Sequence, residues 1–356
     1  MEKILVLNPG STSTKIAVYD GETPLFTAAL EHTAEALAPF REIGDQYAFR
    51  RDLVRAEMEA RGVDRHDLTA VVARGGLLPP VRAGAYEVND DMVWQLCHKP
   101  QNNHASNLAA PIAKSIADEV GVKAYVYDPV TVDELIPLVR LTGLPEMRRK
   151  GMGHNLNMRA TALRYAKQIG RPYGALTVVV AHLGGGITLT LHREGRIIDM
   201  ISDDEGPFSP ERSGGLPIFQ VIDMMAENGG DRRAGMDRVH HNAGLAAHLG
   251  TKDAREVEKR IVAGDAHAQL VFEAMALEVA KNIAKLSVVV NGRLDAVLLT
   301  GGLAHSKRLT GWITARVGFL APVEVMAGEN EMEALALGAL RVLRGEETAH
   351  TFQKVL

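Results

Sequence analysis

One cysteine, Cys97, is the whole thiol complement of a 356-residue chain. That excludes an intrachain disulfide framework and suits a reducing compartment. Aromatic residues make up only 5% of the sequence, too few for a base-stacking platform. Positive charge is not in excess either. With a net charge of -4 there is no basic face to release counterions, so neither nucleic acid nor an anionic membrane surface is expected as a partner. No uncharged apolar run reaches about 18 residues, and the N-terminus enters a strand without the basic segment and apolar stretch of a secretory leader. The expectation is a cytoplasmic protein. H-E-x-x-H, C-x-x-C and G-x-S-x-G are all missing, which leaves metalloprotease, zinc and serine-hydrolase chemistry without support.

What is present is a globular composition, 46% hydrophobic and 24% charged, on a chain long enough for two domains. The opening stretch "ILVLNPGSTSTKIAVYD" gives an apolar strand, a polar turn and an alternating second strand. A third strand is expected at "PLFTAAL", then charged helical sequence from Phe40 to Arg61 and an apolar run, "LTAVVARGG". A further helix is expected from about Asn107, a buried strand ending at Asp128, and a helix around Met158–Ile169. Strand, Gly-bearing turn and strand then recur at "ALTVVVAHLGGGITLTLH". Such a repeat near half the chain length points to duplicated domains. Phe272, Ala276, Val279, Ile283, Leu286 and Val290 recur at spacings of four and three, the stripe of one long amphipathic helix.

The first turn reads equally as an edge hairpin and as a phosphate cradle. Gly10 lets the backbone approach an anion, Ser11, Thr12, Ser13 and Thr14 supply donors, and Lys15 supplies charge. It is not a Walker loop, which opens a helix. Gly184, Gly185 and Gly186 form a second cradle, and two such hairpins in one chain favour phosphate. Gly301-Gly302, between a buried strand and a helix, suits a flat ligand at a strand's carboxyl end. Arg74, directly before Gly75-Gly76 at the end of an apolar strand, Arg212 in a polar Gly loop and His154 in "GMGHNLN" are together the residue types that stabilise a transferring phosphoryl group. Asp128 and Glu331 are hard oxygen donors suited to Mg²⁺, directly or through water. Glu331 serves equally as a first-turn acid on the last helix. His182 points either into a cleft or into the core, and the cleft is the assignment adopted. His240-His241 has no spaced acidic or thiol companion and reads as surface.

These pieces, in this order, resemble the acetate kinase family, of the superfamily joining acetate and sugar kinases with heat-shock ATPases and actin. The motifs are "NPGSTSTK", "HLGGGIT", "LLTGGLAHS" and "GENEMEALALGALRVL". Within the family "ARGGLLPP", "NNHASNLAAPIA", "GMGHNLNMRA" and "DEGPFSPERSGGLP" look most like the butyrate kinase branch. The resemblance implies an α/β fold of two duplicated ribonuclease H-like (actin-like ATPase) domains, each with a βββαβαβα core, around a nucleotide cleft. The domains expected are residues 1–150 plus about 335–356 and residues 151–334. It also implies reversible transfer from ATP to a short-chain carboxylate, giving ADP and acyl phosphate, with Mg²⁺, in a homodimer or higher homo-oligomer. Acetate or propionate is the alternative acceptor; a sugar kinase or an actin-like nucleotide-binding protein is the more distant one. Carried over, the family's roles fall on Asn8, Asp128, His154, Arg212 and Glu331. Two departures stand out. "TAVVARGG" replaces a His-Arg-Val-Val-His-Gly-Gly run, placing Arg74 on a histidine and Val71 on an arginine, and Met158 stands where the family has a second histidine.

Overall fold

The computed structural model describes residues 2–355. Among them are twelve strands: β1 (Lys3–Pro9), β2 (Ser13–Asp20), β3 (Thr23–Glu31), β4 (Leu68–Arg74), β5 (Ala85–Glu87), β6 (Lys123–Tyr127), β7 (Thr177–Leu183), β8 (Ile187–Arg193), β9 (Arg196–Ile201), β10 (Ala296–Thr300), β11 (Val323–Val325) and β12 (His350–Thr351). They form a seven-stranded sheet ordered β12-β5-β6-β4-β1-β2-β3 and a five-stranded sheet ordered β11-β10-β7-β8-β9. Each sheet begins as an antiparallel meander, β1-β2-β3 or β7-β8-β9, and continues from its first strand into parallel pairing, β1 with β4 or β7 with β10. The same order thus occurs twice, as the repeated hairpin sequence leads one to expect.

The chain divides into two compact units. The first runs to Asp133 and resumes at Asn330; the second is Glu134–Glu329. The first boundary falls earlier than residue 150 because the segment after it packs on the second unit. Ile136 donates its amide to the Ile198 carbonyl, and Leu135 lies in a buried cluster with Met158, Val178 and Leu298. Arg149 pins the end of the segment through Asp199 and Glu205, at 2.9 and 2.8 Å. The second boundary, at Asn330 rather than about 335, precedes the last helix, Glu331–Leu343, because the whole helix packs on the first unit, burying Ala334, Leu335, Ala336, Gly338, Ala339 and Leu340. Small residues along that face let the helix lie close to β1 and β4.

In the second unit the long helix spans Ala266–Val288 and buries Phe272, Ala276, Val279, Ile283 and Leu286 against β7 and β8. The helix at "NLNMRATALRYAKQ" begins at Asn155, immediately after His154. Among the described residues no helix is long and apolar enough to cross a membrane.

Candidate functional site

The first hairpin closes with Gly10 N–H donating to the Ser13 carbonyl at 2.8 Å. Asn8, the penultimate residue of β1, pairs across the ladder with Lys15. Directly opposed residues share a face, so the neutral amide and the exposed ammonium project together. Asn8 Nδ2 donates to Glu331 Oε2 at 2.8 Å, and the other Glu331 oxygen accepts from Arg74 Nη1. Arg74 ends β4 and Glu331 starts the last helix, so a strand, a hairpin and a helix N-terminus meet at these three residues. Ser11 and Thr12 are exposed at the tip, whereas Thr14 is buried and bonds His32 Nε2 at 2.9 Å. His32 is held below the usual imidazole pKa by burial and then by the nearby Arg50 cation. Asp128 follows β6 with φ at +40°, is 1% exposed, and accepts from the Gly84 amide at 2.6 Å.

The second hairpin repeats the arrangement with other chemistry. His182 is the penultimate residue of β7, as Asn8 is of β1, and pairs with Thr188 of β8. It is 1% exposed, so it faces packed neighbours rather than an open cleft. Its Nδ1 meets the Asn157 amide at 2.9 Å and its Nε2 meets Glu329 Oε1 at 3.1 Å. That contact holds the Glu329 carboxyl below its usual range, with the His182 hydrogen bond as the largest cause. His154 stacks on His182 at 3.9 Å between ring centroids and 10° between planes, and its Nδ1 contacts Thr188 Oγ1 at 3.0 Å. Met158, in the family's histidine position, accepts from Thr190 Oγ1 at 3.3 Å through its sulfur.

Glycine is needed at two points of this hairpin. A Cβ on Gly186 would lie 2.6 Å from Arg212 Nη1, and one on Gly184 would lie 2.8 Å from His182 Nε2. Arg212 therefore lies directly against the turn, and Asp203 accepts from the same Nη1. Ser209 Oγ donates to the Gly185 carbonyl at 2.6 Å. Gly301 holds φ at +91° after β10, where a side chain would strike the backbone of Leu183. Beside Gly184, Gly185 and Gly302 opens a pocket of about 810 Å³, lined also by Lys252, Arg255, Glu258, Leu303, His305 and Ser306. A pocket of that size beside a Gly-Gly strand end suits a nucleotide; its two cations, Lys252 and Arg255, are paired with Glu211 and Asp253 of the same lining.

The first unit thus brings together Asn8, Lys15, Arg74 and Glu331; the second brings together His154, His182, Gly184, Gly185, Gly186 and Arg212. Asp128 stands apart at the β6 end. The arrangement does not fit a directly held divalent cation. Both Glu331 oxygens are engaged by Asn8 and Arg74, Asp128 is buried, and among the described residues no three His, Cys, Asp or Glu side chains cluster as a metal site. The sequence did not single out Arg50, Asp203 or Glu329. Arg50 left one trace: it falls on the same helical stripe as Val54 and Met58, at spacings of four.

Comparison with known proteins agrees with this geometry. The acetate kinase of Porphyromonas gingivalis superposes with a TM-score of 0.78 at 17% identity, covering 96% of this chain and 100% of that one. The fold class is accordingly that of the actin-like ATPases, two α/β units each built on the same meander. Butyrate kinase 1 of Clostridium acetobutylicum is 42% identical over 355 residues, 99% of this chain and 100% of that protein. A probable butyrate kinase of Coprothermobacter proteolyticus is 44% identical over 353 residues, 98% and 99% of the two chains. The profile described as the acetokinase family matches residues 145–320. The chain belongs to the acetokinase family.

Proposed function

We propose that this protein is a butyrate kinase, transferring the γ-phosphoryl group of ATP reversibly to a short-chain carboxylate, butyrate or a branched relative. The observation that carries the reading is the 42% identity to Butyrate kinase 1 across 99% of the chain. The first hairpin supports it chemically. A sugar hydroxyl needs a carboxylate base, whereas a carboxylic acid is already ionised at pH 7. Here the carboxylate that meets Asn8, Glu331, is also engaged by Arg74, and the residue on β1 is a neutral amide.

In this reaction a carboxylate oxygen attacks the γ-phosphorus in line. The bond to the β,γ-bridging oxygen breaks, and its electron pair leaves on ADP. No proton moves. The difficulty is bringing two anions together, and cations with neutral donors overcome it. Arg74 and Lys15 would meet the acceptor side, and Asn8 would orient the phosphoryl group. In the second unit Arg212 and His154 would meet the transferring charge, while the glycine hairpin and the 810 Å³ pocket hold the nucleotide. Magnesium would enter with ATP, and Asp128 and Glu331 would meet it through water rather than as direct ligands. The exposed apolar side chains Leu216, Ile218, Phe219 and Ile222 support a homo-oligomer. The single cysteine suits the cytoplasm.

A panel of carboxylates with ATP and hydroxylamine tests the reading by trapping acyl phosphate as hydroxamate. Hydroxamate forms with C4 acids in preference to acetate and propionate. ADP release without hydroxamate overturns the assignment. One methylene in an apolar pocket separates acceptors by only about 1–3 kcal/mol, so the panel must cover the whole short-chain range.

A further inference from the structure

The back of the first hairpin holds a group that the reaction as described does not use. Helix Tyr47–Ala60 buries Arg50, and its side chain is 0% exposed. Arg50 Nη1 donates to the Gly10 carbonyl at 2.8 Å, to the Ser13 carbonyl at 3.3 Å and to Thr14 Oγ1 at 3.1 Å. Nη2 donates to the Ser11 carbonyl at 3.1 Å, and Nε to Gln46 Oε1 at 2.9 Å. The remaining tip carbonyl, that of Thr12, accepts from the His32 amide at 2.8 Å. Every carbonyl from Gly10 to Ser13 is therefore engaged from within the fold. The amides of Ser11 and Thr12, both exposed residues, meet no protein acceptor among the described residues. Carbonyls held inward and amides left free give the tip the polarity of an anion-binding nest.

The charge on Arg50 is the second observation. Its acceptors are carbonyls, a hydroxyl and an amide oxygen, none of them charged. Burial pulls its pKa below the usual guanidinium value, with no acid opposing that effect. Its field reaches His32 and His104, both held below the usual imidazole value, first by burial. A buried cation without a counter-ion is strongly unfavourable unless something answers the charge.

We propose that Arg50 is a positioning residue of the phosphate hairpin, holding the tip carbonyls inward so that the Ser11 and Thr12 amides face the transferring phosphoryl group, whose negative charge answers its own. This rests on the reading of the hairpin as the phosphoryl site. Arg50 itself touches no ligand, because the hairpin backbone lies between.

Steady-state kinetics with ATP and butyrate, alongside thermal melts, test it on Arg50→Gln, Arg50→Lys, Gln46→Ala and Asn8→Ala. Folded Arg50→Gln loses about tenfold or more in kcat while the KM for butyrate stays within about threefold. Arg50→Lys, which keeps the charge, recovers a measurable part of that loss. Wild-type kcat in folded Arg50→Gln, or equal losses in the two variants, overturns the proposal. Should Arg50→Gln fail to fold, Gln46→Ala decides. It unpins Nε and lowers kcat about threefold with an unchanged melt, and wild-type kcat overturns the proposal. Asn8→Ala separates the two levels. If it too retains wild-type kcat, the hairpin is not the phosphoryl site and both readings fall; if it alone is impaired, only the Arg50 assignment falls.

Discussion

At Asn8 a side-chain amide does two things a carboxylate could not. It donates to Glu331 Oε2 at 2.8 Å and, in the reaction proposed above, adds no charge beside two reacting anions. Asn8→Asp replaces that donor with a second carboxylate against Glu331, leaving Arg74 to serve both. We expect kcat to fall about 100-fold, with ATP binding changed far less, as read by single-turnover kinetics and nucleotide titration. Activity within twofold of wild type would sink the role given to Asn8. Arg74 was visible because it borders Gly75 at the end of an apolar strand, and Asn8 through the resemblance of "NPGSTSTK" to the acetate kinase family. The sequence hid Arg50, because "FRRDLVR" offers two adjacent arginines and only the helical phase distinguishes them. Arg50 falls on the stripe with Val54 and Met58; Arg51 turns outward to pair with Asp52. Glu329 and Asp203 were hidden for a different reason. Each acts by meeting a residue distant in sequence or across a loop, and no local pattern marks such a meeting.

Among the elements, the two hairpins and the closing helix were legible, since alternation, glycine turns and a small-residue helix face are written locally. The short strands β5 and β12 were not, because three and two residues carry too little pattern to rise above loop sequence. The closing helix shows how tightly an element can be specified by one position. A Cβ on Gly338 would lie 2.5–2.7 Å from the ring of Tyr127. That ring cannot swing away, because its hydroxyl donates to Glu347 at 2.6 Å and accepts from Arg341 at 2.7 Å. Gly338→Ala should therefore destabilise the protein by about 1–3 kcal/mol, seen as a lower denaturation midpoint at unchanged slope. An unchanged midpoint would mean the helix can shift at little expense. The strand carrying Tyr127 leads directly into Asp128, so activity should fall with stability in this variant.

For the molecule as a whole, the duplicated sheet order was foreseeable from the repeated hairpin, whereas the first boundary was not. Residues 134–150 contain no linker composition, and their allegiance is decided by bonds to Ile198, Asp199 and Glu205 far along the chain. Global stability should carry the mark of His192, a wholly buried imidazole between Tyr173 and Thr190, at 2.7 and 2.8 Å. Burial, and secondarily Arg159, pushes its pKa down to about 3. The unfolded chain binds that proton at a higher pH, near 6.5, so this contribution is complete above about pH 6.5 and is lost progressively as pH falls toward 3. The slope is at most about 1.4 kcal/mol per pH unit. Melts between pH 7 and pH 5 should show the decline, and His192→Gln should flatten it; an identical decline in the variant would refute the cause. The discontinuity of the first unit bears finally on how the chain is made. A ribosome delivers most of that unit, then the entire second unit, and only then the closing helix. Glu331, the partner of Asn8 and Arg74, is therefore synthesised after the whole second unit, as are Arg341 and Glu347 around Tyr127. A chain that stops at Asn330 carries every residue of the second unit but lacks the partner of Asn8 and Arg74, so the order of synthesis makes one contact of the first unit wait on sequence that arrives after the second.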